Sequence, residues 1–252
     1  MLVSAKMVRN IWKECMLKFG YISLNSSGAA QQPSCILCAT RMQEIVEASP
    51  APFETVAQNI DSFDAQGFDG IALGCFEPFA HPRLVEILHN ITARGTRRIA
   101  LHTDGGALSS YANAEGSLHS GARIFEIPWL GATSASHDAL TKKPGLFAAF
   151  HQGIANVQAA AHQAGFNIFI VGVLAVCEHN VHEVLAMAQD ALEAGVDALR
   201  LDVAGCALSE ETITALYDCA TTRGIALYGE QIPALLGAQL ITYVSVSGED
   251  YE

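Results

Sequence analysis

The chain has 252 residues, half of them apolar and 16% charged, with a formal net charge of −12. That length can bury one large core of the size an α/β barrel needs, and the acidic balance repels phosphates, which excludes nucleic acid as a natural partner. The seven cysteines are odd in number and scattered, which is no disulfide framework. Together with the missing secretory leader they point to a reducing cytosol, and no uncharged apolar run of about 18 residues exists to span a membrane.

Residues 1–20 carry Lys6, Arg9, Lys13 and Lys18 among Met7, Ile11, Trp12 and Cys15. This reads as an amphipathic helix packed on the base of the following domain. Residues 21–25 form a first strand. Residues 53–66 place Val56, Ile60 and Phe63 on one helical face, with Gly67 as the stop. A second strand covers 69–74, a helix 82–94 with Val85, Leu88 and Ile91 at helical spacing, a third strand 98–103 and a fourth 123–128. Residues 129–144 read as a loop and 146–164 as a long helix. The β-branched run 168–176 suits a strand buried on both faces. A helix over 180–194, a sixth strand over 198–203, a helix N-capped by Ser209 and a short strand over 225–228 complete the pattern.

Strand followed by helix, six times over, predicts an α/β fold with parallel strands and right-handed crossovers, a partial TIM-like (β/α)6 barrel over residues 21–237. Residues 238–252 form a tail, β-prone and then acidic. In such barrels chemistry sits at the C-terminal strand ends. That rule nominates Cys35 and Cys38, Cys75 and Glu77, Thr103 and Asp104, Glu126, His137, Glu178 and His179, Asp202 and Glu230. Two thiolates three positions apart, just past a strand, suit a soft metal or an iron–sulfur cluster; the same pair also fits two inert buried thiols. Cys177 and Cys219 read as small core residues, and Cys206 lies near the rim.

Cys35-Ile36-Leu37-Cys38 and Gly74-Cys75-Phe76-Glu77-Pro78, the latter continued by His81-Pro82-Arg83-Leu84, resemble the radical SAM superfamily. So do Thr103-Asp104-Gly105-Gly106-Ala107-Leu108, the stretch with Gly131-Ala132-Thr133, His137-Asp138 and Pro144-Gly145, and Val173-Leu174 followed by Asn180 and Glu183. The resemblance implies an enzyme that reductively cleaves S-adenosylmethionine at a [4Fe–4S] cluster to give a 5′-deoxyadenosyl radical. Cys35 and Cys38 are then metal ligands, and Cys75, Phe76, Glu77, Asp104 and Glu126 line the S-adenosylmethionine site. It also implies a small-molecule or peptide substrate and a flavodoxin or ferredoxin as reductant, in the cytoplasm, with no membrane or nucleic-acid partner. The family's cluster motif, Cys-x-x-x-Cys-x-x-Cys, puts Gln31 where its first thiolate belongs; a wider spacing puts Ala29 there. Cys75 and Cys15 are the spare thiols. The alternative is a barrel that lacks the cluster and serves as a binding or partner protein. An ordinary barrel lyase or aldolase ranks last, for want of an inward lysine at a strand end.

Overall fold

The computed structural model describes residues 17–26, 49–75, 77–95, 98–229, 231–232, 241–244 and 250–251. Cys15, Cys35, Cys38, Phe76, Glu230 and the expected helix before residue 17 lie outside them. Strand β1 (Leu17–Ser23) precedes helix α1 (Phe53–Ala65), β2 (Gly70–Gly74), α2 (Leu84–Ala93) and β3 (Ile99–His102). Then come α3 (Tyr111–His119), β4 (Ala122–Trp129), α4 (Ser134–Thr141), α5 (Leu146–Ala164), β5 (Phe169–Cys177) and α6 (Val184–Glu193). The sequence continues with β6 (Ala198–Ala204), α7 (Glu210–Thr222), β7 (Ala226–Gly229), β8 (Ile241–Val244) and β9 (Asp250–Tyr251).

β1 to β7 are parallel and lie side by side in chain order, curled into a half-barrel, as the alternating pattern predicts. β1 starts four residues earlier than expected, so residues 17–20 belong to the sheet. The tail supplies two further strands: β8 pairs with β1 in parallel, and β9 returns antiparallel to it. Two helices occupy segments the apolar pattern left as connections. α3 buries little beyond Ala114, Ser117 and Leu118. α4 is set by a capping box in which Thr133 and Ser136 satisfy each other's backbone.

Successive side chains of a strand point to opposite faces, and here the two faces have different chemistry. Phe125, Ile127 and Trp129 of β4 and Ile170, Leu174 and Val176 of β5 join the large apolar core against the helices. Ile124 of β4, Val171 and Val173 of β5, and Tyr21, Ala72, Ala100, Ala198 and Tyr228 form a second, concave-side cluster. In the outer layer α5 is the pivot. The Phe150 ring meets Trp129 edge-on at 4.9 Å, and the Trp129 Nε1 donates to Asp190 Oδ2 of α6 at 2.8 Å. Gly153 lets α5 approach the turn after β3 closely: a Cβ there would lie 2.5 Å from the Gly105 carbonyl oxygen.

A repeated turn clamps neighbouring strands. Gly67-Phe68-Asp69 precedes β2, and Gly195-Val196-Asp197 precedes β6. Both glycines have positive φ, 70° and 81°, which glycine adopts without a Cβ penalty. Asp69 Oδ2 then accepts from Lys18 N at 2.8 Å, and Asp197 Oδ2 accepts from Ile170 N at 2.7 Å. Each aspartate's own N–H donates back to the carbonyl of the same neighbour.

The fold makes one quantitative demand. Phe150→Ala should remove the ring wedged between Trp129, His137 and Phe147 and cost about 3–5 kcal/mol, read as a lowered urea midpoint at unchanged slope.

Candidate functional site

The rim residues converge where β2 and β3 end. β2 stops at Gly74, where any Cβ would come 2.4 Å from the Tyr21 hydroxyl oxygen. The gap this leaves lets the Tyr21 hydroxyl donate to Cys75 Sγ at 3.2 Å. Cys75 itself is left-handed, with φ 58°, a conformation glycine adopts most easily. The chain turns there towards Glu77, which caps a single 3-10 turn, Pro78–Ala80.

Glu77 is the best-held side chain of the rim. Its Oε1 accepts from Thr103 Oγ1 at 2.7 Å and from Phe79 N at 3.2 Å, and its Oε2 accepts from Asp104 N at 2.8 Å. Thr103 Oγ1 also accepts from Gly105 N at 3.1 Å, which fixes the turn after β3. Asp104 is turned away from Glu77 by its own partners: Oδ1 takes Gly106 N at 2.9 Å and Oδ2 takes Lys143 Nζ at 2.6 Å. Burial, with the Asp104 charge alongside, pushes the Glu77 carboxyl up to about 8 from its ordinary 4.5, against the lowering effect of its three donors. No Lys, Arg or His of the described residues is paired with Glu77, so the rim holds an oriented carboxylate that a cation would complete.

The remaining candidates are dispersed. Glu126 is fully buried on the concave face below the rim, bonded by Arg200 Nη1, with His102 Nε2 3.2 Å from its Oε2. Asp202 binds the same guanidinium through both oxygens, at 3.0 and 3.1 Å. His137 sits among Phe147 and Phe150, and burial holds it down to about 4, so it is neutral and structural. Glu178 and His179 are exposed and 3.7 Å apart. Between them and α6, the buried Asn180 ties the exits of β4 and β5 together. It accepts from Cys177 N at 2.7 Å and donates to the Leu130 and Ala175 carbonyls at 2.8 Å.

Sequence reasoning missed Lys143, Arg200 and Tyr228 as polar groups facing the site. Arg200 carried one usable signal: with Asp202 it is one of two charges in an otherwise apolar parallel strand. Among the described residues no group of three His, Cys, Asp or Glu is placed to hold a metal ion. Cys75, the spare thiol on this rim, has its sulfur buried in the concave cluster, where it takes the Tyr21 hydroxyl.

No protein-family model and no curated protein matches the chain. Solved structures do. Streptococcus suis SuiB bound to precursor peptide SuiA matches with a TM-score of 0.62 at 11% identity, over 98% of this chain and 61% of SuiB. Methylornithine synthase, PylB, matches with a TM-score of 0.59 at 12% identity, over 97% of this chain and 79% of PylB. The trigonal form of 2,3-dimethylmalate lyase, a PEP mutase/isocitrate lyase superfamily member, matches at 0.53 and 13%, over 96% and 78%. At such identities the likeness is one of fold, shared with radical-SAM-fold enzymes. No helix among the described residues is long and apolar enough to cross a membrane.

The shifted groups set a pH dependence. Glu77 keeps, in the folded state, a proton that the unfolded chain releases near 4.5, so stability falls as pH rises through its folded value of about 8. His102 and His137, both held down to about 4 from 6.5, withdraw stability as pH falls through that lower window. Between pH 6.5 and 8 only the Glu77 effect of these three operates. Urea midpoints of the wild type should decline across that interval, and those of Glu77→Gln should stay level.

Proposed function

We propose that the protein is a radical-SAM-like barrel that works as a binding protein, holding the ammonium end of S-adenosylmethionine at the rim without cleaving it. One observation carries this reading: Glu77 is presented at the strand ends by Thr103, Phe79 and Asp104, and no described cation is paired with it. An ammonium group fits such a carboxylate through charge-assisted hydrogen bonds. The left-handed Cys75 gives the backbone the turn that the family's glycine motif supplies. Gln31 and Ala29, at the two places a further thiolate would occupy, are not iron ligands, and this favours a role without the cluster. Each side chain then has a definite task. Glu77 binds the cation, Thr103 and the Asp104 N–H fix its orientation, and Lys143 draws the Asp104 carboxylate aside.

A second reading rests on Cys35 and Cys38, two thiols three apart in the connection after β1. On that reading the chain is a cytoplasmic radical SAM enzyme whose cluster would supply the electron for S-adenosylmethionine cleavage, with a flavodoxin or ferredoxin as reductant and a small-molecule or peptide substrate. The described residues do not complete its ligand set.

Titration calorimetry separates ligand binding from its absence. S-adenosylmethionine should bind the wild type, and Glu77→Gln should weaken it at least about tenfold, the loss expected when a charged hydrogen-bond partner goes. Because Glu77 is mostly protonated at pH 7, binding a cation there should release close to one proton; the release should vanish at pH 9. Repeating the titration in buffers of different ionisation enthalpy measures it.

Anaerobic reconstitution with iron and sulfide, then dithionite and S-adenosylmethionine, separates the two readings. The binding protein yields no 5′-deoxyadenosine. Uptake of roughly four irons per chain with release of that product would establish the enzyme instead.

A further inference from the structure

Glu77 is held from both neighbours of β2. On the β3 side its carboxylate is bonded by Thr103 and by Asp104 N. On the β1 side its main chain is held through His81, the residue that closes the 3-10 turn Glu77 caps. That turn has few bonds of its own: Ala80 N donates to the Glu77 carbonyl at 2.9 Å and His81 N to the Pro78 carbonyl at 3.0 Å. Short 3-10 turns have poor internal hydrogen-bond geometry, so their placement depends on bonds from outside. Pro82 keeps the His81 backbone extended, at φ −75° and ψ 122°, and ends the turn there.

The outside bond comes from the His81 ring, which is 5% exposed and uses both nitrogens. Nδ1 accepts from Arg83 N at 3.2 Å, and Nε2 lies 3.0 Å from the Ala51 carbonyl oxygen. An amide N–H only donates and a carbonyl only accepts, so the ring is the neutral tautomer with its proton on Nε2. The contact spans 30 residues and completes a circuit. Ala51 N donates to the Leu24 carbonyl at 2.8 Å, and Leu24 N donates to the Gly74 carbonyl at 2.9 Å. Ala51 is itself anchored, because Asn25 and Pro50 form an antiparallel bridge and Ser26 N donates to the Ser49 carbonyl. The circuit therefore runs from the end of β2 through the exit of β1 to Ala51, through the ring to His81, and back along the turn to Glu77.

We propose that His81 is a positioning residue of the rim: by bonding Ala51 it fixes the turn that carries Glu77, and so sets where that carboxylate meets the ammonium group of S-adenosylmethionine. This rests on the reading of Glu77 as the cation-binding group. His81 acts through Glu77 and does not touch the ligand.

Two substitutions divide the bonds of the ring. His81→Gln keeps a donor where Nε2 stands, and with it the bond to Ala51. His81→Asn keeps an acceptor where Nδ1 stands and serves only Arg83 N. The Glu77 carboxyl is followed by carbon NMR in the ligand-free full chain, its signal identified by its absence from Glu77→Gln. In the wild type it should titrate at about 8. His81→Gln should leave that midpoint in place. His81→Asn, which frees the turn and admits water to the carboxyl, should lower it by about one pH unit. S-adenosylmethionine should bind His81→Gln as it binds the wild type, and His81→Asn about tenfold more weakly, with less proton released at pH 7. A purely structural histidine would lower the melting midpoint of both variants without separating their carboxyl titrations, and that result overturns the proposal. A wild-type midpoint in both variants overturns it as well. The wild type gives a check that needs no variant to fold: nitrogen NMR should find the His81 ring protonated on Nε2 and bare on Nδ1, and the opposite tautomer, which cannot bond Ala51, overturns the proposal. If S-adenosylmethionine fails to bind the wild type while the carboxyl titrations separate as stated, the cation reading of Glu77 falls and its positioning by His81 stands.

Discussion

Alternation along a parallel strand is the constraint on which the rest of this protein depends. Each of β4, β5 and β6 must bury one set of side chains against helices and turn the other set into the hollow of the half-barrel. The helix side has one chemically simple solution, and the chain uses it: Ile, Leu, Val and Phe throughout, with Trp129 as its largest fully buried member. The hollow admits other chemistry beside its smaller apolar cluster. There the same strands that place Phe125 and Leu199 outward place Glu126 and Arg200 inward.

That division sets the electrostatics. A carboxylate and a guanidinium buried together need good geometry to offset lost hydration, and the ladder supplies it without long-range adjustment. Val173 lies opposite Arg200 and Ala175 opposite Asp202, so β5 contributes small apolar neighbours and β6 carries the charges. Removing one partner of such a pair would strand the other and cost about 3–5 kcal/mol. At the rim the same logic operates more openly. Glu77 is half-buried and receives neutral donors only, from a threonine and two backbone amides. Its proton affinity therefore remains responsive to whatever cation approaches, whereas Glu126 and Asp202 already share the Arg200 guanidinium.

The likeness to SuiB, PylB and 2,3-dimethylmalate lyase is one of fold. A barrel shared with a lyase as well as with radical-SAM-fold enzymes says nothing of chemistry by itself. The rim and hollow side chains carry that information, and they are where functional argument has to begin.

Much of the scaffold could be read from the amino acids. The apolar runs located β2 to β7 within a residue or two, because a strand covered on both faces has to be continuously hydrophobic. Glycines 67, 165 and 195 marked helix ends, because each takes a positive φ there. Helices α3 and α4 escaped, since one has a weak apolar stripe and the other is held by Thr133 and Ser136, local bonds that leave no periodic trace. Of the site, Glu77, Thr103 and Asp104 were legible as a strand-end motif. The link among them was not, for it depends on β2 and β3 ending side by side. Nor could composition or spacing announce that Arg200, Glu126 and Tyr228 meet. They lie 74 residues apart at the widest hydrogen bond of the cluster, and only the curl and register of the sheet bring them together. Local hydrophobicity and backbone preference act over a few neighbours, so they specify elements; partners across the barrel are chosen by packing, which acts through space.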